Sequence, residues 1–222
     1  MRALVESGWY GQLTSGLFDV DVRTDWSLWP WMLDKPRLEY FYHSIHYVDA
    51  IRHVFGEPAS IVASTTRYPG QAAAGETRTC TVYEFSNELS VTVLANHNNW
   101  SHRPRALVRC QGTEGQSEGT LGVLYDYPVG RPDTFEFWSR SAHPDHTFQR
   151  TFTERWIPDA FVGPMVDLQS AVAEGRAPLT SGRDNLKTLR AVLAAYRSAE
   201  EGRRVAVTEV ASPFTAGSEV NV

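Results

Sequence analysis

The middle of the chain is a succession of short segments that are rich in Val, Thr and Tyr. Residues 77–85, 89–95 and 105–111 have this composition, and short polar turns such as Asn87-Glu88 separate them. Short segments of this composition, joined by tight turns, are typical of antiparallel strands. These segments therefore predict an antiparallel meander, and the rest of the chain must be arranged around that sheet.

Helical patterns lie on either side of this block. Apolar residues recur at intervals of three and four in residues 43–55, 159–174 and 184–200, and a glycine, the natural helix stop, follows each segment. Further strands are expected at residues 17–24, 59–67, 118–125, 134–139 and 204–208, and those between residues 59 and 139 complete the central sheet. The sequence thus predicts an α+β fold with an open, mostly antiparallel sheet of about six strands and helices on one face.

Composition and charge narrow the class of protein. A hydrophobic content of 42% in 222 residues supports one substantial core, so residues 1–210 are expected to form a single domain, followed by a loosely ordered tail at residues 211–222. The formal net charge of -5 argues against nucleic-acid or anionic-membrane partners. No apolar run reaches the roughly 18 residues of a membrane span, and no signal peptide is recognised. The two cysteines, Cys80 and Cys110, fit buried free thiols in a cytoplasmic protein.

Residues 40–58, YFYHSIHYVDAIRHVFGEP, carry more titratable groups than a core helix needs. His43, His46, Asp49 and His53 are spaced three, three and four apart, so the first three share one helix face. The pattern fits a metal site, an acid/base site in which Asp49 orients an imidazole, or histidines that are hydrogen-bonded structurally at a helix start. The absence of a second carboxylate cluster weighs against a metal, and none is expected.

The usual motifs of nucleophilic and nucleotide chemistry are missing from the sequence. It has no Ser-nucleophile elbow, no phosphate-binding Gly-Lys-Ser/Thr and no Gly-x-Gly-x-x-Gly after a strand. On the residues alone, the chain has a possible catalytic base but no recognisable cofactor site.

Residues 44–58 resemble the signature helix of the Gfo/Idh/MocA oxidoreductases, a Gly-x-His-x-x-Asp pattern followed by a few residues and a Gly, with Ser44 at the first Gly. Residues 5–13, 111–115 and 174–205 resemble, in order, the segment by which that family leaves its nucleotide-binding domain, a hairpin of its central sheet and its C-terminal ending. The resemblance covers residues 1–207. It implies the substrate-binding and oligomerisation domain of this family.

The family transfers a hydride between NAD(P) and a sugar, polyol or related alcohol. His46 stands at the position of the catalytic histidine, which would take the hydroxyl proton during oxidation and return it during reduction. The family often has an Asp four residues earlier, where this chain has Tyr42, so Tyr42 or His43 is expected to substitute. Asp49 matches a residue that mostly supports the helix.

Polar residues elsewhere are candidates for the substrate pocket, since they can bond hydroxyl groups or stack on a sugar ring. These candidates are His97, Asn98, Asn99, Trp100, Arg131 and Asp159. Asp159 could equally serve only as a helix N-cap.

The cofactor domain of the family, with its Gly-rich loop and catalytic Lys, is not found in these 222 residues. The chain is therefore expected to lack an NAD(P) site and to be catalytic only with a cofactor domain from another chain or missing from the sequence. A homo-oligomer formed through the exposed sheet face is expected from the resemblance. The alternative is a non-catalytic binding or scaffold protein derived from this domain.

Overall fold

The computed structural model describes residues 1–125, 127–154 and 156–211. The helices are α1 (Arg2–Glu6), α2 (Ile45–Phe55), α3 (Trp156–Asp159), α4 (Val162–Glu174) and α5 (Gly182–Glu201). The strands are β1 (Leu13–Asp21), β2 (Ser60–Thr66), β3 (Arg78–Glu84), β4 (Ser90–Asn96), β5 (Arg105–Gly112), β6 (Gly115–Thr120), β7 (Asp133–Ser139), β8 (His143–Phe152) and β9 (Val205–Ala206). The predicted tail lies, apart from Ala211, outside the described residues.

In the described part of the chain, nine strands form one sheet in the order β8-β7-β6-β5-β1-β4-β3-β2-β9. Neighbouring strands are antiparallel, except that β1 and β4 are parallel, with Ser15 opposite Ser90 and Asp21 opposite Asn96. The prediction of an α+β fold is confirmed. The predicted size and type of the sheet are wrong, because it has nine strands rather than about six and is mixed.

The strand β8 was not predicted from the sequence, and the bounds of one predicted strand differ. Nine of the ten residues of β8 are exposed, so this edge strand lacks the alternation by which a half-buried strand is recognised. The strand expected at residues 118–125 is instead β6, which ends at Thr120 before a short 3₁₀ turn at Gly122–Leu124.

The core lies between the sheet and the two long helices α2 and α5. β1 runs through the middle of the sheet, and its alternation buries Phe18 and Val20 on the face toward the helices. α2 contributes Val48 and Ile51, which are both fully buried, and α5 contributes Val192. Every second residue of a strand faces away from these helices, and on that opposite face Val62 and Leu94 are 38% and 39% exposed among the described residues.

The boundaries of these helices follow from local chemistry. α2 ends at Gly56, whose φ of 92° is accessible to glycine and disfavoured for other residues. α5 begins after Ser181, whose hydroxyl accepts a hydrogen bond from the amide of Asp184, and ends at left-handed Gly202. None of the described helices has the length and apolar character needed to cross a membrane.

The two cysteines lie on different surfaces. Cys110 is buried, whereas Cys80 is exposed. Cys80 is paired with Leu94 across β3 and β4, on the face of the sheet that the helices do not cover. The expectation of two buried thiols is therefore wrong for Cys80.

Candidate active site around helix α2

The candidate site is built on a turn of π-helix, Tyr40–Ser44, that continues directly into α2. Such turns are rare and are frequent at functional sites. The carboxylate of Glu76 accepts hydrogen bonds from the backbone amides of Leu38, Glu39 and Tyr40 at 3.0–3.5 Å. Because the first amides of a helix have no partner within it, a buried carboxylate at this position stabilises the start of the segment.

His46 lies in the first turn of α2 and is exposed. Its neighbours Tyr47, Val48 and Ile51 are buried, so the apolar stripe of the helix directs His46 toward solvent. No hydrogen bond to another described side chain fixes its imidazole. An exposed imidazole on a rigid helix can exchange a proton with a hydroxyl group that binds beside it.

Three titratable side chains meet one turn before His46. Oε1 of Glu39 is 3.4 Å from Nε2 of His97 and 3.8 Å from Nδ1 of His43. The two imidazole rings are nearly perpendicular, with centroids 4.1 Å apart. The side chains of Glu39 and His97 are fully buried, and that of His43 is 20% exposed. The structure thus brings together His43 and His97, two residues that were predicted for different roles, and it adds Glu39.

Hydroxyl groups hold the carboxylate of Glu39 in place. Ser44 donates to Oε1 at 2.6 Å, and Thr79 donates to Oε2 at 3.1 Å. Burial raises the pKa of Glu39 above its usual range, although His43 and the two hydroxyls act in the opposite direction. The carboxyl group is therefore held in one orientation in a poorly solvated place.

The two imidazoles are also anchored. Oγ1 of Thr24 is 2.7 Å from Nδ1 of His97, and the Tyr47 hydroxyl is 3.1 Å from Nδ1 of His43. Burial lowers the pKa of His97 to about 4. Burial and the nearby His97 lower the pKa of His43 well below its usual range. Both rings are consequently uncharged at neutral pH.

Aromatic side chains border this cluster. The ring of Trp26 lies 5.3 Å from His97 and 6.4 Å from Trp29, which in turn lies 5.4 Å from Tyr127. The indole nitrogen of Trp26 is buried and has no hydrogen-bond partner among the described residues. An indole N–H usually finds a partner when it is buried. The segment that contains Trp26 and Trp29 thus offers aromatic rings for stacking, and the indole N–H of Trp26 is a hydrogen-bond donor without a partner among the described residues.

The predicted alternative base Tyr42 is partly buried and packs edge-on against Trp31, with ring centroids 5.4 Å apart. His43, the other alternative, belongs to the buried cluster with Glu39. Their catalytic roles stay predictions.

The three substrate-binding candidates Asn98, Asn99 and Trp100, which follow β4, make different contacts. Asn98 donates to Oγ1 of Thr77 at 2.5 Å, and Asn99 donates to the backbone carbonyl of Asp21 at 3.0 Å. Both amides therefore tie the loop to the sheet. Trp100 is 60% exposed, and the guanidinium of Arg23 lies 4.2 Å from its ring centre. Of these three, Trp100 presents the most surface to a ligand.

The remaining candidates lie farther along the chain. Arg131 is exposed and stacks its guanidinium 5.0 Å from the ring centre of Tyr125, in the connection before β7. Asp159 is exposed at the end of α3. Their contact with a substrate also stays a prediction.

Asp49 lies on the side of α2 that faces α5. It accepts a 2.8 Å hydrogen bond from Thr188, and one of its oxygens is 3.5 Å from Nη1 of Arg52. Arg52 also forms a paired interaction with Glu57 at 2.8 and 2.9 Å. Asp49 thus joins α2 to α5, and its supporting role stays a prediction.

Glu39 and Thr24 are site residues that the sequence analysis did not identify. Glu39 lies four residues before His43, and side chains at this spacing on a helix are neighbours. The spacing alone could therefore have indicated that Glu39 belongs to the site. Thr24 carries no comparable signal, because its contact with His97 depends on the pairing of Val22 with Asn96 and of Thr24 with His97 beyond the end of β1.

The described residues do not fit a dinucleotide. The parallel strands β1 and β4 are not joined by a single crossover helix with a Gly-rich turn, which is the unit that binds pyrophosphate. The residues suited to a metal ion are Glu39, His43 and His97, whose ligand atoms all lie within 4.8 Å of one another.

Comparison with known proteins places this geometry in context. Residues 1–118 match the model of the GFO/IDH/MocA C-terminal domain. A D-apiose dehydrogenase of Paraburkholderia graminis is 30% identical over 163 residues, which are 72% of this chain and 42% of the relative. A D-apiose dehydrogenase of Rhizobium rhizogenes is 25% identical over 218 residues, which are 92% of this chain and 59% of the relative. The chain thus spans between about two fifths and three fifths of these relatives.

Solved structures share the fold. An oxidoreductase from Agrobacterium radiobacter in complex with NAD+, L-tartaric acid and magnesium superposes with a TM-score of 0.79 at 22% identity, over 95% of this chain and 61% of that one. A levoglucosan dehydrogenase in complex with NADH and L-sorbose superposes with a TM-score of 0.70 at 16% identity, over 93% of this chain and 61% of that one. At these identities the likeness concerns the fold.

Proposed function

Because the chain belongs to the GFO/IDH/MocA C-terminal domain family, we propose that it is the substrate-binding and catalytic half of an NAD(P)-dependent oxidoreductase that acts on a sugar or related alcohol. The observation that carries this proposal is the exposure of His46 at the start of α2, beside an anchored polar cluster. Residues 1–210 act as one unit in this role, and a cytoplasmic location stays a prediction.

His46 is the acid/base residue of the proposed reaction. It accepts the proton of the substrate hydroxyl as the alcohol is oxidised and returns it when the carbonyl is reduced. Its imidazole is exposed and can reach a hydroxyl without displacing a protein partner among the described side chains. The helix that carries it is fixed to the core by Val48 and Ile51, so the backbone position of His46 is set before the substrate arrives.

The proposed substrate class is supported by the aromatic rings beside the buried cluster and by the relatives. Trp26, Trp29 and Tyr127 form a row of rings beside His97, and an aromatic ring offers an apolar face to a sugar and a polar edge to its hydroxyls. Two relatives are named D-apiose dehydrogenase, so D-apiose is the first sugar to test.

The nicotinamide cofactor is held, in this proposal, by a unit other than these 222 residues. α4 supports the presence of a partner, because it exposes a series of large apolar side chains. Their exposed fractions range from 43% to 76%, for Val162, Met165, Val166, Leu168 and Val172. An exposed apolar row of this kind marks an interaction surface in a soluble protein.

The open face of the sheet supports a further proposal, that the chain forms a homo-oligomer. Leu94 and Val62 are 39% and 38% exposed on this face. Charged residues of both signs, including Asp19, Arg78 and Arg105, line the same concave surface. A self-complementary surface of this type suits a symmetric dimer.

Calorimetric titration of sugars into the chain tests the proposed function. D-apiose, other aldoses and a matched polyol are the ligands, and saturable binding in the millimolar range or tighter is expected for at least one of them. Trp29→Ala should weaken that binding, because it removes a stacking ring without cutting into the buried cluster.

Trp9→Ala is the control, since Trp9 is 38% exposed and stacks on Phe137 before the start of β1, whereas Trp26 and Trp29 follow the other end of that strand. Binding of no sugar, or equal weakening by the two tryptophan variants, would contradict the proposal.

A further inference from the structure

We propose that Glu39, His43 and His97 form a binding site for a divalent first-row transition-metal ion, for which Zn²⁺ is the probe. The three residues come from the π-helical turn and from the segment after β4, so they meet only in the folded chain. Two imidazole nitrogens and one carboxylate oxygen are a ligand set that zinc and ferrous iron both accept.

The distances between the ligand atoms are close to those around a bound zinc ion. Bonds of about 2.0–2.2 Å to a tetrahedral zinc ion place neighbouring ligand atoms about 3.3–3.5 Å apart. Oε1 of Glu39 is 3.4 Å from Nε2 of His97 and 3.8 Å from Nδ1 of His43. Hydrogen bonds between such groups are normally about 2.7–3.2 Å long, so neither contact is a good hydrogen bond. All three ligand atoms lie within 4.8 Å of one another. Small rotations of the imidazole rings would bring them to the distances that a single metal ion requires.

The outer contacts are those that orient metal ligands. Oγ1 of Thr24 is 2.7 Å from Nδ1 of His97, and a ring hydrogen donated to Thr24 leaves the lone pair of Nε2 directed at Glu39. Ser44 and Thr79 donate to the two oxygens of Glu39 at 2.6 and 3.1 Å. These bonds fix the orientation of the carboxylate.

The site also has a way in. The hydroxyl oxygen of Tyr47 lies 3.1 Å from Nδ1 of His43, so this hydroxyl must turn its hydrogen away from the ring nitrogen when a metal ion binds there. Glu39 and His97 are fully buried, but the side chain of His43 is 20% exposed and connects the site to solvent. Metal binding would fasten the turn that precedes His46 to the end of β4.

The test is metal content and metal affinity of the whole chain. After chelation and dialysis, the chain is loaded with Zn²⁺, separated from free metal and measured by mass spectrometry, with about one equivalent expected. Glu39→Gln and His97→Gln should lose that equivalent. Thr79→Val, which alters only an outer contact, should weaken the affinity by roughly 10–100-fold.

The matched control uses the second histidine pair of the chain. His143 and His146 are exposed on β8, with ring centroids 6.4 Å apart, and could hold zinc at the surface. The double variant His143→Gln/His146→Gln should keep its equivalent of zinc. Loss of zinc in this control, together with retention in Glu39→Gln, would overturn the proposal.

X-ray absorption of the loaded wild-type chain decides the matter if a ligand variant does not fold. Two nitrogen ligands and a carboxylate oxygen at about 2.0–2.2 Å are expected. Retention of less than about a tenth of an equivalent by the wild-type chain would refute the site. None of these measurements involves a sugar, so their outcome is independent of the proposed oxidoreductase function.

Discussion

The hydroxyl of Tyr196 donates a 2.6 Å hydrogen bond to Oε1 of Glu76, and this bond joins α5 to the carboxylate that holds the start of the π-helical turn. The same carboxylate accepts the backbone amide of Glu39 at 3.0 Å. One buried acid thus links the long C-terminal helix to the segment from which the candidate site is built.

Loss of this link should destabilise the chain. Tyr196→Phe removes a hydrogen bond to a charged group and should lower the free energy of unfolding by about 1.5–3 kcal/mol. Glu76→Gln should lower it further, because this change also weakens the hydrogen bonds from three backbone amides. Urea unfolding measures both effects. Tyr68→Phe, at a tyrosine that is 37% exposed, is the control and should change the free energy by less than about 0.5 kcal/mol. Equal effects of the two tyrosine variants would contradict the assignment.

The stability of the chain should depend on pH through Arg52. The side chain of Arg52 is 5% exposed, and its hydrogen bonds and charge lower the pKa values of Glu57 and Asp184. Because these pKa values are depressed in the folded state, the stabilisation is complete above the unfolded values of about 4 and is lost as the pH falls through the folded values.

Arg52→Gln should therefore cost most at neutral pH. Both carboxylates are partly exposed to screening solvent, so the expected loss in free energy of unfolding is about 1–2 kcal/mol. Urea unfolding of wild type and variant at about pH 7, 4 and 3 measures the difference, which should shrink at the lowest pH. A difference that stays constant over this range would show that the ion pairs do not cause it.

Nicotinamide cofactors should not bind to the 222-residue chain. Titration of NADH and NADPH, followed by nicotinamide fluorescence, is expected to give no saturable change up to about 1 mM, the upper end of ordinary enzyme affinities. The reason is the lack of a Gly-rich turn between a strand and a helix in the sequence. Tight, saturable binding of either cofactor would contradict the proposal of a separate cofactor-binding unit.

The open face of the sheet should determine the oligomeric state. Light scattering at micromolar concentration is expected to give the mass of a dimer or larger assembly, and Leu94→Arg should shift it toward the monomer by placing a charge in the apolar part of that face. Val129→Arg is a suitable control, because Val129 is 82% exposed in a loop. A monomeric wild type would refute the proposed assembly.

The sequence was sufficient for the elements whose pattern is local. The helical period of residues 43–55 predicts α2, and Gly56 marks its end, as the structure confirms. β8 could not be predicted, because an exposed edge strand such as HPDHTFQRTF has no apolar alternation. The parallel pairing of β1 with β4 depends on segments far apart in the chain, and no local pattern specifies it.

The same limit applies to the candidate site. His43 and His46 follow from one helical motif, but the contact between His43 and His97 requires the register of the sheet and the position of α2 on it. The acidic member, Glu39, lies only four residues before His43 in the sequence. Its burial against Thr79 and Ser44 is a property of the tertiary structure, and its importance is visible only there.

Nuclear magnetic resonance of the histidine side chains, during a titration with the sugar that binds best, tests directly whether His46 meets the substrate. The imidazole resonances of His46 should shift saturably, while those of His53, which is exposed farther along α2 and contacts Arg2 at 3.0 Å, should not move. His46→Gln assigns the resonances and should abolish turnover when the cofactor-binding unit is supplied. Sugar binding that leaves the resonances of His46 unchanged would contradict its proposed role as the acid/base residue.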